Sequence, residues 1–376
     1  MEKIKVLQFP IANSQGGITQ YVLNNWRFID RTRFHFDFAT MSKKLDMKDE
    51  LEAEGCKVHF ISCYAEENQE QFVSEIREIL KEDYDVIHLH TKQWKSFLIE
   101  EIAKEYGVPK IIVHSHSTGI DTSDPVKRQE EIALHEAAKK AFTMDIATDF
   151  CACSWLAADF LFGGKIPKSR IKILKNAIDV NRFSYNTEVR NTVRQALNLE
   201  GCFVLGNVGR MTFSKNQEFL MEVMREIPEE QTNIRLLLIG SGELEEELRR
   251  KAEEYKLQEK VIFLGRRKDV DQILQAIDVL LLPSRFEGLP VSLIEAQTAG
   301  LKCLASEAIS EETLITGNLE RLPLDKDLWS KKCLELLKGY DRKKMEQEIK
   351  NAGYDIREQI KIIEEMYGQN TKKRFL

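Results

Sequence analysis

No apolar run in the sequence reaches the roughly 18 residues needed to span a bilayer. The opening MEKIKVLQF also lacks the long apolar core of a secretory signal. A soluble or peripheral protein is therefore expected, and not a transmembrane or exported one. Cysteine is sparse and scattered: seven residues, of which the closest pair, Cys151 and Cys153, has the spacing of one strand face and not that of a zinc knuckle. Reduced thiols and a cytoplasmic location follow. Charge of neither sign is concentrated. The chain has 55 basic and 61 acidic residues, a formal net charge of −6, and no basic block in either half, so nucleic acid is not an expected partner. Also missing are a low-complexity linker, a short repeat array and the dinucleotide fingerprint GxGxxG.

What is present is length and alternation. A chain of 376 residues, 43% hydrophobic, can bury two cores of ordinary domain size. Short apolar runs at residues 4–9, 34–39, 57–62, 86–90, 110–113 and 149–154 alternate with amphipathic or charged stretches. A second series follows, with strands expected at 203–208, 234–239, 261–264, 279–282 and 302–305. Such alternation predicts α/β domains with doubly wound parallel sheets, Rossmann-like in pattern. The boundary is placed in Lys168 to Ile178, KSRIKILKNAI. That gives a first domain of residues 1–175 and a second of 176–354. The last apolar-periodic segment runs from Asp355 to Tyr367.

The second series is organised around VLLLPSRFEGLPVSLIEAQTAG, residues 279–300, which passes from an apolar strand through a turn into a helix. Pro290 is expected at the first helical position, because proline has no amide hydrogen to leave unpaired there. Glu287 then precedes the helix and Glu295 lies within it. Eight helical steps would separate their backbones by roughly 12 Å. Hydrolytic carboxylate pairs flank one bond at about 5–9.5 Å, so two hydroxyl-binding carboxylates fit better. Amides at Gly288 and Leu289, with the helix dipole, could hold an anionic group between them.

Three further strand-to-helix turns belong to the same block. In GRMTFSKN, Arg210 and Lys215 flank a loop where a forked and a compact cation can converge on a diphosphate. Gly240 and Gly242 in IGSG, and Arg266 in LGRR, sit where backbone or side chain can meet a nucleotide. In the first block the paired glycines Gly16 and Gly17 precede a helix and permit close backbone approach. Two strands end in His88-Leu89-His90 and His114-Ser115-His116, each pair on one strand face. Zinc binding is weighed and set below structural or sugar-contacting histidines, because no carboxylate stands at ligand spacing and Asp121 and Asp124 fall on a loop.

Glu287 and Glu295 also reproduce the E-x7-E motif, and with the cationic loop, GSGEL and FLGRRKDV the chain resembles the large retaining glycosyltransferase family 4 (GT4) over nearly its full length. The resemblance implies a GT-B architecture: two facing Rossmann-like domains, an interdomain cleft and a C-terminal helix, residues 355–376, crossing back to the first domain. It also implies roles for single residues. Arg210 and Lys215 contact the donor diphosphate, Glu287 the transferred sugar and Glu295 the ribose. Gly16 and Gly17 match the family's glycine loop, and His116, with His114 as the alternative, matches the histidine near the reacting sugar.

Asn176-Ala177-Ile178-Asp179 is similar to the family's N-G-[IV]-D crossover, with alanine in place of glycine. Where many relatives carry GG-x-x-E this chain has SEAISEET, so no contact is transferred to Glu307 or Glu311. That variant looks like exopolysaccharide and capsule-building relatives of the EpsF type. The expected partners are a nucleotide-sugar donor, UDP-linked by preference, and a glycan or lipid-linked acceptor. No cofactor and no metal are expected, since the two cations stand in for a divalent ion. The tail residues Lys372, Lys373 and Arg374 suggest transient contact with an anionic membrane face. A nucleotide-sugar epimerase or hydrolase of the same fold, or a non-catalytic nucleotide-sugar-binding subunit, is the alternative.

Overall fold

The structure, a computed structural model, describes residues 2–13 and 16–369. The chain divides into two compact units. The first comprises the described residues up to Ile120, Val126–Ala177 and the described residues from Ile356 onward; the second comprises Asp121–Pro125 and Ile178–Asp355.

The first unit is built on a seven-stranded sheet of β1 (Ile4–Ile11), β2 (Phe34–Thr40), β3 (Val58–Phe60), β4 (Val86–Thr91), β5 (Lys110–Ser115), β6 (Asp149–Ala152) and β7 (Ile171–Ile173). The order is β3-β2-β1-β4-β5-β6-β7 and every pairing is parallel. In β7 Ile171 pairs with Phe150, so KSRIKI closes the first sheet. The last helix, Ile356–Gly368, also belongs to this unit. Ile360, Ile363, Met366 and Tyr367 line one of its faces and are buried in a core with Ile4, Val6, Tyr21 and Trp26. The basic tail with Lys372, Lys373 and Arg374 lies outside the described residues.

The second unit holds a six-stranded sheet of β8 (Phe203–Val208), β9 (Ile234–Ile239), β10 (Val261–Gly265), β11 (Val279–Leu282), β12 (Lys302–Ser306) and β13 (Leu319–Leu322). Its order is β10-β9-β8-β11-β12-β13, again all parallel. Parallel strands are covered by helices on both faces, which is why β11 is apolar at every position and all four side chains are fully buried. Each contributes about 1.5–3 kcal/mol on leaving water. Among the described residues no helix is long and apolar enough to cross a membrane.

In each sheet the strand order reverses once. β1 lies beside β4 in the first, and β8 beside β11 in the second. In open parallel sheets such a switch point leaves a crevice at the carboxyl ends of the two central strands, where ligands bind.

Candidate active site

In the second unit the switch point brings together the loop after β8 and the loop after β11. A 3-10 turn at Phe213–Lys215 leads from the first loop into helix Gln217–Glu226; the second loop leads into helix Val291–Thr298. Pro290 is the cap of that helix, with φ −73° and ψ 109°, and not its first turn as expected. Its ψ is still extended, so helical geometry begins one residue later.

The two loops are stitched together by backbone. Arg285 N donates to Ser214 O at 2.7 Å, Arg285 Nη1 to Phe213 O at 2.7 Å, and Asn216 Nδ2 to Pro283 O at 3.0 Å. That seam carries Lys215 to Glu287, 72 residues away in sequence, where the ammonium pairs with carboxylate Oε1. Ser284 Oγ donates to the same oxygen at 2.8 Å, and Ser306 Oγ in turn donates to Ser284 O at 2.5 Å. Lys215 and Glu287 are only 18% and 13% exposed, so each charge depends on the other for its solvation.

Arg210 is fixed differently. Its Nη2 lies 2.9 Å from Asp121 Oδ2, while Asp121 Oδ1 accepts from Ser214 N at 2.9 Å. Asp121 thus braces both ends of the cationic loop, a role its loop position in sequence did not signal. Behind that loop, glycine is obligatory. A Cβ on Gly242 would lie 2.2 Å from Met211 O, and one on Gly240 2.0 Å from Gly209 O. The GSG turn is therefore the bed on which Gly209–Met211 rests, with Met211 N donating to Ser241 O at 3.1 Å.

Other residues singled out in sequence are distributed unevenly. Gly288 and Leu289 are buried in the turn between Glu287 and Pro290. Glu295 lies on the following helix, partly buried, and burial pushes its carboxyl up to about 7. Arg182 opposes that rise and Asp271 adds to it. Arg182 is spent mainly on Asp271, at 2.6 Å, which explains why it neutralises Glu295 incompletely. Arg266 is exposed after β10, the edge strand two places from the switch point.

In the first unit Gly16 caps helix Gly17–Phe28, and a methyl group on Gly17 would meet no described atom within 4 Å. Beside it in the sheet order, β4 and β5 deliver the four histidines. His90 stands opposite His114 in register, and the hydrogen bonds run diagonally: His88 Nε2 to His114 Nδ1 at 3.1 Å, and His90 Nδ1 to His116 Nε2 at 3.0 Å. His88, His90 and His114 are buried; His116 reaches partly into the open. Burial holds all four imidazoles below the usual histidine value, His88 down to about 3.

Ligand atoms of His88, His90 and His114 lie within 4.8 Å of one another, close enough to consider a metal ion. Yet both nitrogens of His88 and of His90 are engaged, because Tyr367 Oη lies 2.6 Å from His88 Nδ1 and Gln8 Oε1 lies 2.8 Å from His90 Nε2. Gln8 and Tyr367, from opposite ends of the chain, are functional candidates that sequence reasoning missed.

Two doubly wound α/β domains in one chain, the second with paired cations and carboxylates at its switch point, define a GT-B protein. A family model described as "Glycosyl transferase 4-like domain" matches residues 16–177 and one described as "Glycosyl transferases group 1" matches residues 189–355. The chain belongs to the glycosyltransferases composed of these two domains and is a transferase enzyme. It is 27% identical to the protein named glycosyltransferase EpsF of Bacillus subtilis, covering 98% of this chain and 97% of that one. It is 22% identical to a UDP-Gal:alpha-D-GlcNAc-diphosphoundecaprenol alpha-1,3-galactosyltransferase of Escherichia coli, over 85% and 83% of the two chains. HepE of Anabaena, crystallised with UDP-glucose, shares the fold with a TM-score of 0.75 at 20% identity, over 96% of this chain and 98% of that one.

Proposed function

We propose that the chain transfers a sugar, with retention, from a UDP-sugar to a hydroxyl of a glycan or lipid-linked acceptor in the building of an exopolysaccharide or capsule. The observation that carries this is the convergence of Lys215, Glu287 and Ser284, with Arg210 on the same loop, at the switch point of the second sheet. The E. coli relative, named for a UDP-galactose donor and a diphosphoundecaprenol-linked acceptor, supports the donor class and the acceptor class. EpsF and the capsular polysaccharide glycosyltransferase CapH of Staphylococcus aureus support the polysaccharide context. Action in the cytoplasm, at the inner membrane face, is part of the same proposal.

In this reading Arg210 and Lys215 neutralise the donor diphosphate. Both already hold carboxylates, so the diphosphate has to share them with Asp121 and Glu287. Glu287, oriented by Lys215 and Ser284, accepts from hydroxyls of the transferred sugar; Glu295 accepts from the ribose. Gly288 and Leu289 shape the turn between them, with Gly16 and Gly17, Gly240, Gly242 and Arg266 completing the donor contacts. His116 bonds the reacting sugar.

The bond from the anomeric carbon to the phosphate oxygen breaks and the acceptor oxygen bonds to that carbon on the same face. The acceptor proton passes to the departing phosphate oxygen. The cations raise the rate to the extent that they hold the growing phosphate charge more tightly than the ground state. Two side-chain cations serve as the diphosphate's counter-ions, so transfer is expected to survive EDTA; activity lost to EDTA and restored by magnesium or manganese would overturn this.

The deciding assay offers UDP-, GDP- and ADP-sugars with and without lipid-linked saccharide acceptors. Acceptor-dependent release of UDP is expected. Acceptor-free conversion of the donor, or turnover confined to GDP- or ADP-sugars, would sink the proposal.

A further inference from the structure

The four histidines, Gln8 and Tyr367 form one unbroken hydrogen-bonded system with a single junction. From Tyr367 Oη one arm runs to His88 and then His114. The other runs through Gln8, whose Nε2 is 3.0 Å from the same hydroxyl, to His90 and then His116. Tyr367 and Gln8 are 0% and 2% exposed, so water does not interrupt the junction.

A neutral imidazole carries one ring proton, so each ring can donate from one nitrogen only and must accept at the other. Burial keeps these rings neutral. With Gln8 Oε1 facing His90, that ring must donate from Nε2 and accept at Nδ1, so His116 is the Nε2–H form; with the amide turned over, both rings carry the proton on Nδ1. The His88 arm follows the Tyr367 hydroxyl: both its rings carry the proton on Nε2 if the hydroxyl donates to His88 Nδ1, and on Nδ1 if it accepts.

The junction distances choose between them. Hydrogen bonds from a hydroxyl are typically about 2.7–2.8 Å long and those from an amide N–H about 2.9–3.0 Å. The 2.6 Å link to His88 has the length of Tyr367 O–H donating, and the 3.0 Å link to Gln8 that of the amide donating to the phenol. His88 Nε2–H then donates to His114 Nδ1, which leaves His114 Nε2 as a buried ring atom without a hydrogen-bond partner among the described residues. In the other arm His90 Nε2–H donates to Gln8 Oε1, and His116 Nε2–H donates to His90 Nδ1.

We propose that Tyr367, on the C-terminal helix, together with Gln8, sets the tautomer of His116 through His90. His116 is held as the Nε2–H form, with Nδ1 as the acceptor it offers. Tyr367, Gln8 and His90 are positioning residues; His116 is the member that reaches the surface. For catalysis this rests on the reading of His116 as a sugar contact, where an Nδ1 acceptor would take a hydrogen bond from a sugar hydroxyl.

The test is long-range proton–nitrogen NMR of the full chain labelled in its seven histidine rings, with His116 assigned from the His116→Asn spectrum. Wild type is expected to show His90 and His116 as Nε2–H tautomers. Tyr367→Phe, which keeps the buried ring, and Gln8→Met, which keeps the volume, should each bring the two His116 nitrogen shifts toward each other as the tautomers mix. Circular dichroism confirms that the variants are folded.

His116 as Nδ1–H in wild type, or an unmoved His116 spectrum in both folded variants, overturns the inference. Its failure is separable from that of the functional reading. Wild-type transfer by His116→Asn would remove the sugar contact while leaving the tautomer result intact.

Discussion

The two switch points are built from opposite electrostatics. At the first, between β1 and β4, the side chains are neutral: imidazoles held below their usual range by burial, one amide and one phenol. At the second, between β8 and β11, they are charged and paired, Lys215 with Glu287 and Arg210 with Asp121. Half-buried charge persists only where a counter-charge or several hydrogen bonds are supplied, and the second unit supplies both. A neutral network costs less to bury and can both give and accept hydrogen bonds, which suits hydroxyls; fixed cations suit a diphosphate. One architecture thus yields two chemistries, according to whether its loops carry counter-charges.

The largest effect should come from breaking the charged side at its centre. Glu287→Ala is expected to slow transfer on the order of 10²–10³-fold and, by stranding partly buried Lys215, to cost about 1–3 kcal/mol of stability. UDP release and denaturant unfolding read the two losses separately; a folded variant with a near-wild-type rate would detach the pair from the chemistry. Arg210→Ala comes next, with donor affinity and turnover both lowered on the order of 10–100-fold. Arg210→Lys should restore turnover only in part, because a point charge cannot reproduce the fork. Full restoration would show that charge alone matters there.

A smaller pair of variants contrasts the glycine loops of the two units. Gly242→Ala must move Met211 and is expected to lose about 1–3 kcal/mol and with it donor affinity. Gly17→Ala meets no described atom within 4 Å and should stay within about 0.5 kcal/mol of wild type in urea unfolding. The reverse ranking would contradict the close packing seen behind the cationic loop.

The smallest effect concerns pH. The Glu295 carboxyl is raised from 4.5 to about 7 in the folded chain, so its contribution to stability is fully present below about 4.5 and lost as pH rises through about 7. Glu295→Gln should remove that slope. Between pH 5 and pH 8 wild type is expected to lose roughly 1–2 kcal/mol relative to the variant, less than the full shift because the group is partly solvated. Parallel melting curves for the two proteins across that range would refute the raised carboxyl.

Much of the fold was legible because buried parallel strands are continuous apolar runs. Val279–Leu282 and Ile234–Ile239 have the bounds read from sequence. Elements without that contrast were missed. Helix Trp155–Phe162 is apolar nearly all round, so it shows no period; helix Thr187–Ala196 buries no residue fully; and β13, LERL, is a four-residue edge strand.

The candidate site was legible as residue types at loop positions, since Arg210, Lys215 and Glu287 all follow strands of one block. Their partners were not. The Lys215–Glu287 pair, the Arg210–Asp121 brace and the Gln8–Tyr367 junction join residues 72, 89 and 359 positions apart. Local pattern carries no information about which distant loops a sheet will place side by side.

The placement of helix Ile356–Gly368 in the first core has a consequence for the order of synthesis. A ribosome delivers residues 178–355 in full before it delivers Ile360, Ile363, Met366 and Tyr367, so the second unit can complete its core while the first still lacks one wall. The domain that begins first is finished last. Until the final helix arrives, Gln8 and His88 have no hydroxyl between them, and a truncated chain would carry a finished second unit with an unfinished histidine network.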